Sequence, residues 1–297
     1  MTAMASVLEK RLLDAVRADG GWGYYAGQGA RVEPTAWAAL ALTTGADPIK
    51  TGARRNAMTR LFAAWQQGSG LLLDPGSATP NVGFSGLGLV AMDALGVAAT
   101  EPVLSRLRGA VIAAKGIQLQ SEGSPIKQNT MIQAWSWTDG TFSWVEPTAW
   151  CLLSLKKTAA SDSVAKARIG DGEAMLADRV CQSGGWNYGN SNAFTQDLRP
   201  YVPTTALGLL AMQDRRSIPA VAKSLTWLEQ HAISEPSSMA LSLAAIALTV
   251  YDRPAEKIID ALLRQADKTA SLDNAHLIAM ALYASTLPAH KARAFRM

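Results

Sequence analysis

Glu33-Pro34-Thr35-Ala36-Trp37 returns 113 residues later as Glu146-Pro147-Thr148-Ala149-Trp150. Each copy follows a Gly/aromatic turn: Asp19-Gly20-Gly21-Trp22 before the first, Asp139-Gly140-Thr141-Phe142 before the second. Each opens an alanine- and leucine-rich run. A unit that recurs in this way is one supersecondary element stacked on its neighbours, so the chain reads as a repeat array.

Working outward from these copies, almost every periodic segment is helical. Met58, Leu61, Phe62 and Trp65 fall at i, i+3, i+4, i+7, and Ile259, Leu262, Leu263 and Ala266, with Ile258 beside them, do the same. These are amphipathic outer helices. Between them lie runs that are apolar on nearly every side: 36–43, 87–95, 149–155, 206–212, 239–250 and 277–283. A helix without a polar face belongs inside the protein. Pro34, Pro147, Pro203 and Pro236 stand at four of the inner starts, where the first helical position suits proline. Pro80-Asn81 and Asp273-Asn274 mark the other two. Six helix pairs follow, at roughly 4–45, 51–96, 101–158, 163–214, 217–251 and 254–287. Inner helices need apolar neighbours on both sides, and an open array leaves its ends bare. The expectation is one all-α domain over 1–297, an (α/α)6 toroid with inner and outer helix rings. The inner N-termini and the Gly/Trp-rich loops gather at one end.

With 297 residues, 48% hydrophobic and 18% charged, the chain can bury a large core. The net charge of +4 is scattered, with no basic stripe among aromatics, which argues against nucleic acid. A short basic end, Lys291-Ala292-Arg293, leaves room for peripheral contact with an anionic membrane surface or a phosphate group. Cys151 and Cys181 form neither a disulfide framework nor a metal-binding spacing, and read as free, buried thiols. The first ten residues lack an apolar signal core, and the run 239–250 is too short to span a bilayer. A cytoplasmic location is expected.

Asp19-Gly20-Gly21-Trp22-Gly23, Gly27-Gln28-Gly29-Ala30 and Pro34-Thr35-Ala36-Trp37-Ala38-Ala39-Leu40 together resemble a repeat of the squalene–hopene cyclases. Gly184-Gly185-Trp186-Asn187-Tyr188, followed by Pro203-Thr204-Thr205-Ala206, resembles another. The resemblance covers most of the chain at the level of the repeat. It implies the toroid of the terpene cyclases and protein prenyltransferases and a small apolar, isoprenoid ligand in a central cavity. If the protein is catalytic, it implies a cyclase or isomerase started by protonation. Fold alone does not decide activity. A non-catalytic binding or scaffolding ring with its own protein partner stays open, and so does a polysaccharide lyase or hydrolase.

The protonating motif of the cyclases, Asp-x-Asp-Asp-Thr-Ala, falls on Arg31-Val32-Glu33-Pro34-Thr35-Ala36 and on Trp144-Val145-Glu146-Pro147-Thr148-Ala149. The resemblance therefore makes Glu33 and Glu146 the catalytic acids, but the flanking aspartates are absent. Paired carboxylates raise one pKa. A lone glutamate at a helix N-terminus is instead held as its anion by the helix dipole. Capping of the helix is the competing role for both glutamates.

Trp37, Phe84, Trp150 and Tyr201 are expected to line the ligand and stabilise a cation through their π faces, with plain core the other reading of the two tryptophans. Arg31 and Arg199, with Tyr24 and Tyr25, would meet an anionic head group. His276 is either a ligand contact or a satisfied core histidine, and His231 and His290 read as surface helix ends. The zinc ligands of prenyltransferase β subunits, Asp-x-Cys and a later His, fall on Glu235-Pro236-Ser237 and Asp273-Asn274-Ala275-His276. Without the thiolate no metal is expected. No Asp-rich magnesium motif occurs either, and no cofactor is expected.

Overall fold

A computed structural model describes residues 3–43, 48–120, 128–268 and 273–297. In chain order the helices are α1 (Ala3–Asp14), α2 (Val32–Leu42), α3 (Pro48–Trp65), α4 (Val82–Ala94), α5 (Pro102–Ala113), α6 (Val145–Thr158), α7 (Ser163–Asp178), α8 (Val202–Ala211), α9 (Pro219–His231), α10 (Ser238–Val250), α11 (Glu256–Lys268), α12 (Ala275–Ser285) and α13 (Leu287–His290). A small antiparallel hairpin, β1 (Asn192–Ala193) and β2 (Gln196–Asp197), interrupts the loop before α8. The fold is all-α. No described helix is long and apolar enough to cross a membrane.

The even-numbered helices through α12 are the apolar ones, buried along most of their length. Their contacts run α2 to α4, α4 to α6, α6 to α8, α8 to α10, α10 to α12, and α12 back to α2. That order is cyclic, so the inner helices close a ring. Helices α3, α5, α9 and α11 each lie against two consecutive inner helices. The tightest seam uses glycine. A Cβ at Gly83 would stand 3.0 Å from Pro147, and one at Gly86 only 2.8 Å from the Cys151 backbone nitrogen. The absent side chains let α4 and α6 meet backbone to backbone, with Cys151 sealed between them. Both cysteines are free and buried.

Three of the units are each stitched by one tryptophan. The Trp22 backbone N–H donates to Thr35 Oγ1 at 2.9 Å, and its indole to Leu12 O at 2.7 Å. Trp135 does the same with Thr148 (3.2 Å) and Val111 O (2.7 Å), and Trp186 with Thr205 (3.0 Å) and Leu176 O (2.7 Å). The side chain thus ties the end of the outer helix to the first turns of the inner one. In the second unit Leu72 holds this place, its N–H donating to Ser85 Oγ at 3.0 Å. The structural partner of Trp22 in the third unit is therefore Trp135 and not Phe142, which is 44% exposed. The adjacent glycines reach the next unit: a Cβ on Gly21 would meet Leu61 at 3.0 Å, and one on Gly184 the Lys223 carbonyl at 2.9 Å.

The prolines sit deeper than the first helical position. Pro34 and Pro147 are third in α2 and α6, and Pro203 is second in α8. The whole first turn lacks intrahelical acceptors for its N–H groups, so proline costs nothing at any of these places. Pro236 precedes the N-cap of α10, Ser237. Asn81, Ser237 and Asn274 cap α4, α10 and α12 with their side chains.

The opposite end of the ring is closed by the segment after α13. Left-handed backbone at Lys291 (φ 49°) and Ala292 (φ 55°) turns it back under the helices. Arg293 Nη2 donates to Thr43 O at 3.1 Å, Arg296 Nη2 to Thr249 O at 2.6 Å, and Gln213 Nε2 to Phe295 O at 2.8 Å. Helix C-termini carry orphan carbonyls and partial negative charge, which these cations satisfy. Arg293, which the sequence offers for anionic surfaces, is thus engaged with the protein's own backbone. His290 is also drawn in, with Nε2 within 3.1 Å of Tyr283 O, rather than standing at the surface.

Candidate functional site at the N-terminal rim

The loops that enter the inner helices also cap their neighbours. The residue two places after each stitching residue reaches the first turn of the preceding inner helix. Tyr24 O accepts from Ala275 N (2.8 Å), Trp137 O from Val82 N (2.9 Å) and Tyr188 O from Val145 N (2.9 Å). Asp74, two after Leu72, uses its side chain: Oδ1 accepts from Val32 N at 2.6 Å. This places Tyr24, Asp74, Trp137 and Tyr188 around one rim. It also removes the capping role from the glutamates. The N-caps of α2 and α6 are Arg31 and Trp144, and neither makes a side-chain cap hydrogen bond.

Counted from its N-cap, Glu33 is the second residue of α2, and Glu146 the second of α6. His276 is the second residue of α12. Three inner helices thus bring an ionisable group to the same level. Glu33 is only 14% exposed; Tyr24 Oη donates to its Oε2, and His276 Nε2 lies 3.4 Å from its Oε1. That distance and geometry make no hydrogen bond, so the buried Nε2 is left without one. The expectation of a satisfied core histidine does not hold. Burial lowers the His276 pKa although the Glu33 charge opposes this, so the ring is neutral at pH 7. Burial first, then Glu33, pushes the Tyr24 phenol up.

Glu146 differs from the lone, dipole-stabilised anion that the sequence suggests. Its carboxyl is pushed up to about 7, first by burial and second by the charge of Glu33; a hydrogen bond from Trp150 opposes the rise. The helix N-terminus favours the anion, but desolvation beside a second carboxylate outweighs it. Across the ring, then, Glu33 and Glu146 form the pair of acids that no single motif contains.

Trp37 and Trp150 lie four residues after the two glutamates, on the same helix faces and about 6 Å deeper. They are 1% and 2% exposed, touch each other edge to face at 5.9 Å, and both contact Phe295. They form a packed floor rather than an open lining. Phe84 is half-buried and stands edge-on to Trp137 at 5.6 Å. Tyr201, 50% exposed, tilts against Tyr188 at 5.4 Å. Tyr188 and Tyr201 help to line a surface groove of about 420 Å³ with Trp144, Asp197 and Arg199, and Phe84 lies outside it.

Arg31 is occupied locally, bonded to Pro75 O and Ser77 Oγ and 3.9 Å from Asp74. Tyr25 is exposed and faces away, into a pocket with Arg11, Asp14 and Asp273. Of the residues expected at an anionic head group, Arg31 and Tyr25 are thus engaged elsewhere, while Arg199 lines the groove with Tyr188 and Tyr201. No group of three or more His, Cys, Asp or Glu among the described residues could hold a metal ion, and Ser237 Oγ is used as the α10 cap.

The contributions of Trp144, Tyr188 and Asp74 to the rim are not evident from motif matching. For Tyr188 and Asp74 the signal is positional, two residues after a tryptophan or leucine that precedes a buried Thr or Ser, whereas Trp144 is the N-cap of α6.

No family model matches this chain, and no curated protein matches it in sequence. Solved structures match its fold. A protein from Actinoplanes aligns with TM-score 0.63 at 16% identity, covering 97% of this chain and 99% of that one. Type II terpene cyclase MstE from Scytonema aligns with TM-score 0.60 at 14% identity without ligand, and at 13% identity in complex with geranylgeranyl dihydroxybenzoate, covering 97% of both chains. At such identities the likeness establishes a terpene cyclase-like fold.

Proposed function

We propose that this protein holds an apolar, isoprenoid ligand at the N-terminal rim of the ring and acts on it as a protonation-initiated cyclase or isomerase. The observation that carries this reading is the Glu146 carboxyl, raised to about 7 beside Glu33. At neutral pH a large share of Glu146 keeps its proton, which a carboxylate at its ordinary pKa does not. Glu146 is the acid: its proton passes to one carbon of a ligand double bond, and the electron pair of that π bond becomes the new C–H bond. The neighbouring carbon is left cationic, and Glu146 is left as its anion. In the ground state that anion would be repelled by Glu33. With a cation formed between them, both carboxylates attract it, so the interaction strengthens as the reaction proceeds. Tyr24 positions Glu33 through its hydrogen bond. Tyr188, Tyr201 and Trp144 offer π faces to positive charge. The Scytonema cyclase is seen with a prenylated aromatic acid, and a prenylated small molecule is the substrate class proposed here.

A second reading is a non-catalytic ring that binds such a ligand or a protein partner. It draws on the axis below the glutamates, which Trp37, Trp150 and Phe295 fill. Mass spectrometry of lipid extracted from purified protein, followed by incubation with prenylated phenols and polyprenols, separates the two. New cyclic or isomerised products support the enzyme. Bound lipid returned unchanged supports the binding ring, and no bound or converted isoprenoid at all defeats the enzyme and the lipid-binding ring and leaves only the protein partner.

A further inference from the structure

The floor beneath the rim is not made by the inner helices alone. Phe295 is fully buried at 0% exposure, and its ring stands 5.6 Å from Trp37, 6.3 Å from Trp150 and 5.2 Å from Tyr283. It therefore touches α2, α6 and α12 at once, while Gln213, beyond the end of α8, holds its carbonyl at 2.8 Å. The flanking backbone is pinned too. Lys157 Nζ donates to Arg296 O at 2.9 Å, Arg296 reaches Thr249 O and Asp252 Oδ1 at 2.6 and 2.7 Å, and Arg293 reaches Thr43 O at 3.1 Å. A ring anchored to both sides of the axis is a fixed stop, because displacing it would break several hydrogen bonds together, the buried one from Gln213 among them. The axis is layered: Glu33 and Glu146, then Trp37 and Trp150, then Phe295.

We propose that Phe295 sets the depth of ligand space below Glu33 and Glu146, and with it the length of apolar chain that the protein accepts. This rests on the isoprenoid reading of the rim. A ligand whose double bond lies at the carboxyls can send below them only as much chain as the two indoles leave free. The indoles cannot settle because Phe295 occupies the space beneath. A phenyl ring and an isoprene unit are similar in size, so shortening residue 295 makes room for about one more unit.

The test uses the full chain as wild type, Phe295→Leu and Phe295→Ala, each checked for folding by circular dichroism. Dissociation constants are measured for geraniol, farnesol and geranylgeraniol. The preference for the longer over the shorter prenol should rise roughly tenfold in Phe295→Ala and by less in Phe295→Leu, in line with the added buried methylenes. If Phe295→Ala does not fold, Phe295→Leu carries the comparison. Equal preferences in the folded proteins would overturn the proposal. Failure of every prenol to bind any of them would instead sink the isoprenoid reading, and benzene uptake then decides the role of Phe295. One equivalent bound by the variant and none by wild type supports the stop; equal uptake overturns it.

Discussion

At the N-terminal ends of the inner helices stand Glu33, Asp74, Glu146 and Glu235; at the C-terminal ends stand Lys156, Lys157, Arg293 and Arg296. Both sets have the sign that the helix dipoles favour, yet they are treated differently. Below, nearly every charge is spent on a partner. Lys156 bonds Ala211 O at 2.9 Å and pairs with Glu173 and Asp214, and Lys157 pairs with Asp93 at 3.1 Å. Above, a buried histidine nitrogen goes without a hydrogen bond, and one carboxyl is pushed up to about 7. Charge pairing is concentrated at the base, and the rim keeps ionisable groups in costly states, although Tyr283 Oη and His290 Nδ1 at the base are also buried without a hydrogen bond. An unsatisfied, pKa-shifted cluster on a well-tied scaffold is the pattern expected of a functional site.

The strongest way to break this contrast is Glu146→Gln. If the rim is catalytic, product formation should fall by about 10²–10⁴-fold while circular dichroism is unchanged. Full turnover in the variant, followed by gas chromatography of products, would move the acid elsewhere. At the base, Phe295→Ala should cost about 3–5 kcal/mol in chemical denaturation. A loss below about 1 kcal/mol would mean that the segment after α13 is no structural element.

Titration sharpens the contrast because the two ends have opposite signs. The folded-state pKa of Glu146 is raised, so the folded protein binds that proton more tightly than the unfolded chain. Stability should therefore fall as pH rises from about 4.5 to about 7, by roughly 3–4 kcal/mol, and then level off. Glu146→Gln should flatten that window, and an unchanged slope would refute the raised pKa. Asp252 at the base is held below its usual range, chiefly by Arg296. Its contribution is present above its ordinary pKa and is lost only on further acidification. The smallest effect is expected within one stitch. Thr148→Val leaves the buried Trp135 N–H without its acceptor and should cost about 1–3 kcal/mol by thermal or chemical denaturation. Thr35→Val should do the same to Trp22. A neutral result in both would show that the stitches can be replaced by packing.

Much of this architecture is legible in the residues. Helices such as 239–250 have no polar face, so their place inside follows from burial alone. The boundaries are less legible: α3 begins at Pro48, before Thr51, where the sequence pattern starts the second pair. The stitch in the third unit was harder to see. The aromatic nearest Glu146, Phe142, looks like the equivalent of Trp22, whereas the shared quantity is the thirteen-residue distance from tryptophan to a buried threonine. His276 could be placed near a helix start, but its equivalence with Glu33 depends on which residue caps α12.

By itself the sequence determined the helical periodicity, the division into inner and outer helices, and the repeated glutamate at the head of two inner ones. These are local properties, set by side-chain polarity along a 3.6-residue turn. Only the tertiary structure decided what the glutamates are worth. Their coupling crosses between two helices more than a hundred residues apart, and desolvation depends on everything packed around them. The same holds for the basic end of the chain, whose arginines meet helix carbonyls that exist only once the ring has closed.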